Sequence, residues 1–517
     1  MRRRIANTCT HVCVLACVWV LRLGAQTPDT ASLAKIREEG LQHSQAMETL
    51  SWLTDVHGSR LTNSPAAEAA ATWVQQRLAS WGIQKSWKEA WGPFGRGWMN
   101  EVVQVRTVTP QPFPIIANVE AWTAGTRGTV RGPAVFAPEL SSTNDFVRYR
   151  GTLRGAFVLV DSSPTIEPPP LQPLATRLSP QDLVVRSWPN PERRLRDSLT
   201  SPARSSHASS GLAAFLKAEG ALAMVNASAG SGGTVFLGAF GERQGSPDPA
   251  QPVPLTTLTF ASEHYGRIAR ILDKGIAVTL EANVRNTFIG GNDSAFNILA
   301  ELPGTDKADD VVMLGAHFDS FHFATGATDN GVNVAVMLEV MRILKASNVP
   351  LRRTVRLALW TGEEQGLLGS RAYVARHFVD TVGHRRRPEF AKLAAYYNLD
   401  NGGGAIRGPM VDQREQLNTE ADSTFRVWTR LLRGLGADIV SARGGGGSDH
   451  VSFYERGPPG FQFLQDGLDY DTRTHHTNMD TYERIVPEDV RRNAVIVASF
   501  VFLTANREKP FPAMRVW

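Results

Sequence analysis

At about 100–200 residues per domain, the 517 residues predict two to four units. A composition 42% hydrophobic and 20% charged can bury sizeable cores and excludes a disordered or fibrous chain. The formal net charge of +5 includes four arginines and no acid within residues 1–25; about +1 remains for the rest, which gives no electrostatic ground for binding nucleic acid.

Residues 1–25 have the layout of a secretory signal peptide. Arg2, Arg3 and Arg4 precede an apolar run from Ile5 to Leu21, and Gly24 and Ala25 stand before Gln26. The run is short for a membrane span of ~20 residues. All three cysteines, Cys9, Cys13 and Cys17, lie inside it, and none sits at the cleavage point. The expected product is periplasmic or extracellular, with no lipid anchor and no stable membrane insertion after signal removal. It has no disulfide and no thiolate metal ligand.

Ser32 to Leu53 reads as helical, and Ser64-Pro65 opens a second amphipathic helix through Leu78. Glu101 to Val105 reads as a strand. From 119 to 286 the texture changes to short β-like runs between glycine and proline turns: Ala134 to Phe136, Ala156 to Val160, Ala223 to Val225 and Val278 to Leu280. Ser163 to Pro191 is a proline-rich excursion. This block reads as an inserted β-rich domain between 26–118 and 287–517.

After Asn297 strand and helix alternate. Strands are expected at Val311–Ala316, Thr354–Trp360, Leu393–Leu399 and Gly460–Leu464. Helices are expected at Asn333–Lys345, Gln365–Phe378, Ser423–Leu435 and Pro487–Thr504. The pattern predicts an α/β fold, a mostly parallel mixed sheet with helices on both faces. Ligands in such sheets bind beyond the carboxyl ends of the strands.

Those ends hold the metal-competent residues. His317 and Asp319 follow the first strand, and Asp329-Asn330-Gly331 lies just beyond. Glu363 and Glu364 follow the second strand and Asp400 the third, while His475, His476 and Asp480 come near the end. With no thiolate, imidazole and carboxylate suit zinc, with manganese or cobalt as options. Two histidines and three acids can hold two metals if one carboxylate bridges. Asp329, short and on a glycine-bearing turn, is the bridging candidate. Two metals about 3.5–4 Å apart can share a water and lower its pKa. The Glu363-Glu364 pair offers one ligand and one general base. Asp319 is placed to accept a histidine N–H and fix the ring.

The stretches GAHFDS at 315–320, GATDNG at 326–331, LALWTGEEQGLLGS at 357–370, YYNLDN at 396–401, GGSDHVSF at 446–453 and HHTNMDT at 475–481 resemble a known family. It is the co-catalytic zinc exopeptidase family that includes bacterial aminopeptidases and carboxypeptidase Q. HGSRLTNSPAAEAA at 57–70 resembles its amino-terminal signature. The resemblance implies two zinc ions, one on His317, Asp329 and Asp400, the other on Asp329, Glu364 and His476. It implies Glu363 as base and peptides as substrates, with a metal-bridging hydroxide attacking the peptide carbonyl. His475 stands where some aminopeptidases carry an oxyanion-steadying tyrosine and is expected to take that part. GTLRGAFVLVD at 151–161 and EGALAMVNAS at 219–228 resemble a protease-associated domain. The expected activity is removal of residues from a chain terminus, with an aminopeptidase preferred over a carboxypeptidase Q-type dipeptidase or carboxypeptidase. A one-zinc glutaminyl cyclase needs fewer ligands than are present, and a non-catalytic scaffold needs no base.

Overall fold

The structure is a computed structural model that describes residues 29–140, 143–164, 173–184, 211–236, 246–382, 385–413, 416–444 and 447–513. The expected signal segment and its cysteines lie outside the described residues, as does part of the 163–191 excursion. Among the described residues no helix is long and apolar enough to cross a membrane.

Two helices replace the one expected over Ser32–Leu53: α1 (Thr30–Gln42) and α2 (Ala46–Ser51). Asp29 caps α1 by accepting from the Ser32 amide. The run breaks at 43–45, where the Gln45 amide donates to Glu339 of another helix instead of to a helical carbonyl (3.2 Å). α3 (Pro65–Ser80) starts as expected: the Ser64 hydroxyl accepts from the Ala67 amide (3.1 Å), and proline takes the first turn. Ala67, Ala70, Ala71, Val74 and Leu78 form its buried stripe.

A long antiparallel ribbon runs through the molecule, built from β1 (Lys85–Thr109) and a later strand over Thr279–Leu302, in register from Lys85↔Glu301 to Thr109↔Thr279. Between them lie β2 (Ala117–Val119), β3 (Thr129–Phe136), β4 (Phe157–Leu159), β5 (Ala223–Ala227) and β6 (Thr257–Phe260). β3, β4, β5 and β6 are parallel neighbours, and β2 closes the edge antiparallel to β6. The Thr279–Leu302 strand, β7, pairs with β3 near its start and with a later strand near its end. The expected unit boundaries at 118/119 and 286/287 therefore fall inside β2 and β7.

Beyond β7 the same continuous sheet goes on through β8 (Lys307–His317), β9 (Arg353–Trp360), β10 (Leu393–Asn398), β11 (Ile406–Gln413) and β12 (Gly460–Gln465). β12, β10, β8 and β9 are parallel in that order, flanked by antiparallel β11 and β7. Successive strand residues feed opposite faces. Leu314, Leu357 and Tyr397 enter a core with α4 (Val332–Ala346) and α7 (Pro487–Ala505); Met313, Ala358 and Tyr396 enter one with Tyr373 and Val374 of α5 (Leu368–His377). α6 (Thr419–Leu431) packs Phe425 into the first core. Helices thus cover both faces of a mostly parallel mixed sheet, and the carboxyl ends of four parallel strands meet at one edge.

Candidate active site

The predicted ligands sit at a strand end or on turns along that edge. His317 ends β8, and Asp329 occupies the turn into α4. Glu363 and Glu364 lie in a tight turn between β9 and α5. Gly362 there has φ +71°, and a Cβ would meet Trp91 at 2.7 Å. This turn uses up residues 363–367, so α5 begins at Leu368 and not at the expected Gln365. Asp400 follows β10. His476, in the loop after β12, holds φ +59°, a costly conformation for a non-glycine that its surroundings must enforce.

The five ligand candidates converge on Asp329. His317 Nε2 lies 3.2 Å from Asp329 Oδ1 and 3.2 Å from Asp400 Oδ1. His476 Nε2 lies 3.2 Å from Asp329 Oδ2 and 3.1 Å from Glu364 Oε2. One carboxylate therefore offers each oxygen to a separate three-residue group. Nitrogen and oxygen ligands at ~2.0–2.2 Å from a tetrahedral zinc stand about 3.3–3.5 Å apart, close to these spacings. Asp329 Oδ2 and Glu364 Oε1 are buried oxygens that no hydrogen-bond donor among the described residues satisfies, as expected of atoms shaped to meet a cation. His475 Nε2 is 3.9 Å from Asp329 Oδ2, so by distance Asp329, His475 and His476 also form a three-ligand group. The His475 ring stacks on Tyr470 (centroids 4.6 Å apart).

The electrostatics describe a site crowded with negative charge. Burial pushes Glu364 up to about 7, Asp329 adding to the effect and His476 opposing it. Burial also raises Glu363 well above the carboxylate range, against His317 and helped by Asp400 and Asp449. Burial alone would lower His476, but Glu364 and Asp329 carry it up to about 10. Such a set of acids suits bound cations.

Asp319 departs from expectation. The group that fixes His317 is the backbone carbonyl of Asp319, 2.9 Å from Nδ1, while the nearest carboxylate oxygen is 3.7 Å away. The carboxylate instead accepts from the Glu363 amide (3.3 Å), the Glu364 amide (3.4 Å) and the Thr62 hydroxyl (2.9 Å). Asp480, metal-competent by type but outside both implied ligand sets, does the same for the bridging candidate: it accepts from the amides of Thr328 (2.5 Å) and Asp329 (3.1 Å). Arg60 is fully buried, and among the described residues its guanidinium donates to backbone carbonyls, including those of Phe318 (2.9 Å), Thr325 (3.1 Å) and Gly326 (2.9 Å). Burial lowers it to about 10, with Asp480 and Asp319 opposing. Nothing in residue type or spacing marked Arg60 or Thr62; only the 57–70 resemblance included them. Asp449, left out of the ligand set, is buried and pushed up to about 7 by burial.

The loop bearing His475 and His476 is strapped from two sides. Thr176 and Leu468 exchange backbone hydrogen bonds (3.0 Å each), and Arg177 reaches Asp466 (2.9 Å) and Asp489 (2.8 Å). From the other side the Val235 amide donates to Asn478 Oδ1 (2.7 Å), and Asn478 Nδ2 donates to the Gly233 carbonyl (3.1 Å).

Residues 297–501, the stretch that carries every predicted ligand, match the profile of Peptidase family M28. Aminopeptidase YwaD of Bacillus subtilis is 31% identical over 221 residues, 42% of this chain and 46% of the relative. Carboxypeptidase Q of Homo sapiens is 25% identical over 265 residues, 51% of this chain and 52% of the relative. The chain thus spans about half the length of these relatives. Among solved structures, a Peptidase M28 precursor from Shewanella amazonensis aligns over 94% of this chain and 99% of its own at 21% identity, with a TM-score of 0.66. A zinc aminopeptidase from Bacillus subtilis aligns over 91% and 98% at 20% identity, with a TM-score of 0.52. At these identities the two structures establish the shared fold.

Proposed function

We propose that this chain, whose site-bearing segment matches Peptidase family M28, is a zinc-dependent exopeptidase and, within that class, an aminopeptidase. The shared carboxylate carries the reading: Asp329 faces His317 with one oxygen and His476 with the other, each at 3.2 Å. In this reading His317, Asp329 and Asp400 hold one zinc, and Asp329, Glu364 and His476 hold the second. Glu364 is preferred to His475 because it stands closer to His476 Nε2 (3.1 Å) and keeps an unsatisfied buried oxygen. Bound zinc supplies a Lewis acid for the scissile carbonyl and lowers the pKa of the attacking water. Glu363 takes the proton of that water and hands it to the departing amine. His475, beside the ligand histidine, donates to the oxygen of the tetrahedral carbon.

Two acids that precede the histidine pair and are of the type that grips a substrate amine carry ion pairs of their own. Asp466 is paired with Arg177 and Arg407, and Asp469 with Arg484. Asp471 also stands beside the site, with Oδ1 3.9 Å from His475 Nδ1. A carboxylate there suits a free α-amine, and the likeness to aminopeptidase YwaD favours the same choice. The second reading is a dipeptidase or carboxypeptidase of the carboxypeptidase Q type, with Arg473 of the same turn receiving the terminal carboxylate. We read residues 119–286 as a protease-associated-type insert in a catalytic unit made of 26–118 and 287–517. Residues 1–25 are read as the signal that exports the chain.

Metal analysis of purified protein should find two zinc ions per chain. Amino-acid anilides should be cleaved, a chelator should abolish cleavage, and zinc should restore it. Cleavage of N-blocked dipeptides in place of anilides would select the carboxypeptidase reading. Protein without metal, or activity indifferent to the chelator, would end both.

A further inference from the structure

We propose that Thr62 is a positioning residue for the turn that carries Glu363 and Glu364, acting through Asp319; the inference rests on the exopeptidase reading for its kinetic arm. Thr62 lies 300 residues before Gly362 and outside the segment that matches the family profile. Its side chain is fully buried. A hydroxyl has one proton and two lone pairs, and here both sides are used. Oγ1 donates to Asp319 Oδ2 (2.9 Å) and accepts from the Gly362 amide (3.0 Å). Asp319 in turn accepts from the next two amides, Glu363 through Oδ1 (3.3 Å) and Glu364 through Oδ2 (3.4 Å). Three consecutive amides, those of the turn glycine, the base and a ligand, are thus held by one hydroxyl–carboxylate pair.

The two longer bonds depend on how the Asp319 carboxylate is rotated, and the Thr62 hydroxyl is the side chain that fixes that rotation. Thr62 is itself held in place. The Arg60 amide donates to Ser320 Oγ (3.0 Å), the Ser320 amide donates to the Arg60 carbonyl (3.3 Å), and Arg60 Nε donates to the Phe318 carbonyl (2.9 Å). Segments 60–62 and 318–320 therefore move as one body, with α3 anchored just after Thr62 by its Ser64 cap. The Glu363 carboxylate is aimed by its backbone, so a small rotation of this turn misplaces the proton acceptor, while the Glu364 carboxylate keeps its contact with His476 (3.1 Å).

The test compares Thr62→Val, which keeps the shape and removes the hydroxyl, with Thr62→Ser, which restores it. In Thr62→Val kcat should fall about 10- to 100-fold, the range expected of an ångström-scale misplacement. KM should stay within about twofold, since the bound substrate meets the same surface. Hydrogen exchange read by mass spectrometry should accelerate in peptides covering 361–367, and Thr62→Ser should return both quantities to wild-type values. Wild-type kcat and exchange in Thr62→Val would overturn the proposal, as would a loss that serine fails to rescue. If wild-type protein hydrolyses no peptide, the exopeptidase reading fails, and the exchange arm still decides whether Thr62 orders the turn. Should the valine variant not fold, Asp319→Asn takes its place: it should show the same kcat-specific loss and faster exchange at 361–367, and unchanged values there would overturn the proposal.

Discussion

Lowering the pH should destabilise this protein through His322, three residues beyond Asp319. Its Nε2 donates to the Val119 carbonyl (2.7 Å), joining the loop after β8 to β2, and its buried Nδ1 has no partner among the described residues. The ring packs edge-on against Trp98 (4.7 Å) and Phe323 (5.0 Å). Burial lowers its pKa from 6.5 to about 4, with the Val119 bond opposing. Because the folded value is depressed, the unfolded chain takes up the proton first as pH falls. The contribution to stability is whole above pH about 6.5 and is lost progressively toward pH about 4. Between pH 7.5 and 5.0 linkage gives about 2 kcal/mol. The residue as a whole is only half-buried, which trims the figure to about 1–2 kcal/mol. His322→Gln keeps an N–H for Val119 and cannot titrate. Urea midpoints for both proteins at pH 7.5 and 5.0 measure the difference: wild type should lose about 1–2 kcal/mol more than the variant across the interval. Equal losses would refute the buried neutral imidazole.

Glu363→Gln should keep two zinc ions and lose about 10²–10⁴-fold in kcat, whereas Glu364→Ala should lose one zinc; metal analysis beside kinetics tells them apart, and the reverse pattern would exchange base and ligand. His475→Phe should lower kcat about 10–100-fold with both metals retained, and unchanged turnover would remove it from the reaction. Arg177→Met leaves Asp489 without this cation and Asp466 with Arg407 alone. The arginine is 46% exposed, so the stability cost is only ~1 kcal/mol. Release of one zinc to a chelator should nonetheless accelerate, because the His476 loop loses a strap; wild-type release of both would refute the link.

Local periodicity located most of the sheet that carries the site. β8, β9, β10 and β12 and helices α3, α4 and α7 lie where pattern placed them, since each is a short buried run or a capped amphipathic stretch. The ribbon did not show. Only Glu101–Val105 and Val278–Leu280 read as strand within β1 and β7, because Gly92, Pro93, Gly95 and Gly97 look like turn punctuation. In the structure the register shifts there, and the partner strand about 190 residues away holds the chain extended. α6 begins at Thr419, four residues before the expected Ser423, because Asn418 caps it by accepting from the Ala421 amide (3.0 Å). The expected single helix at the start breaks where Gln45 bonds across to Glu339.

The sequence by itself determined which chemistry is available. Imidazoles and carboxylates at strand ends, and no thiolate after Cys17, leave a nitrogen and oxygen metal site. Ligand chemistry is a property of side chains, and side chains are written in the chain. Only the tertiary structure decided how they are held: that the Asp319 carboxylate serves the amides of Glu363 and Glu364 while its carbonyl serves His317, that Asp480 grips the Asp329 turn, and that Arg60 and Thr62 belong beneath the site at all. Those are hydrogen bonds between groups far apart along the backbone. Their existence follows from where the sheet delivers each turn, which no local pattern encodes.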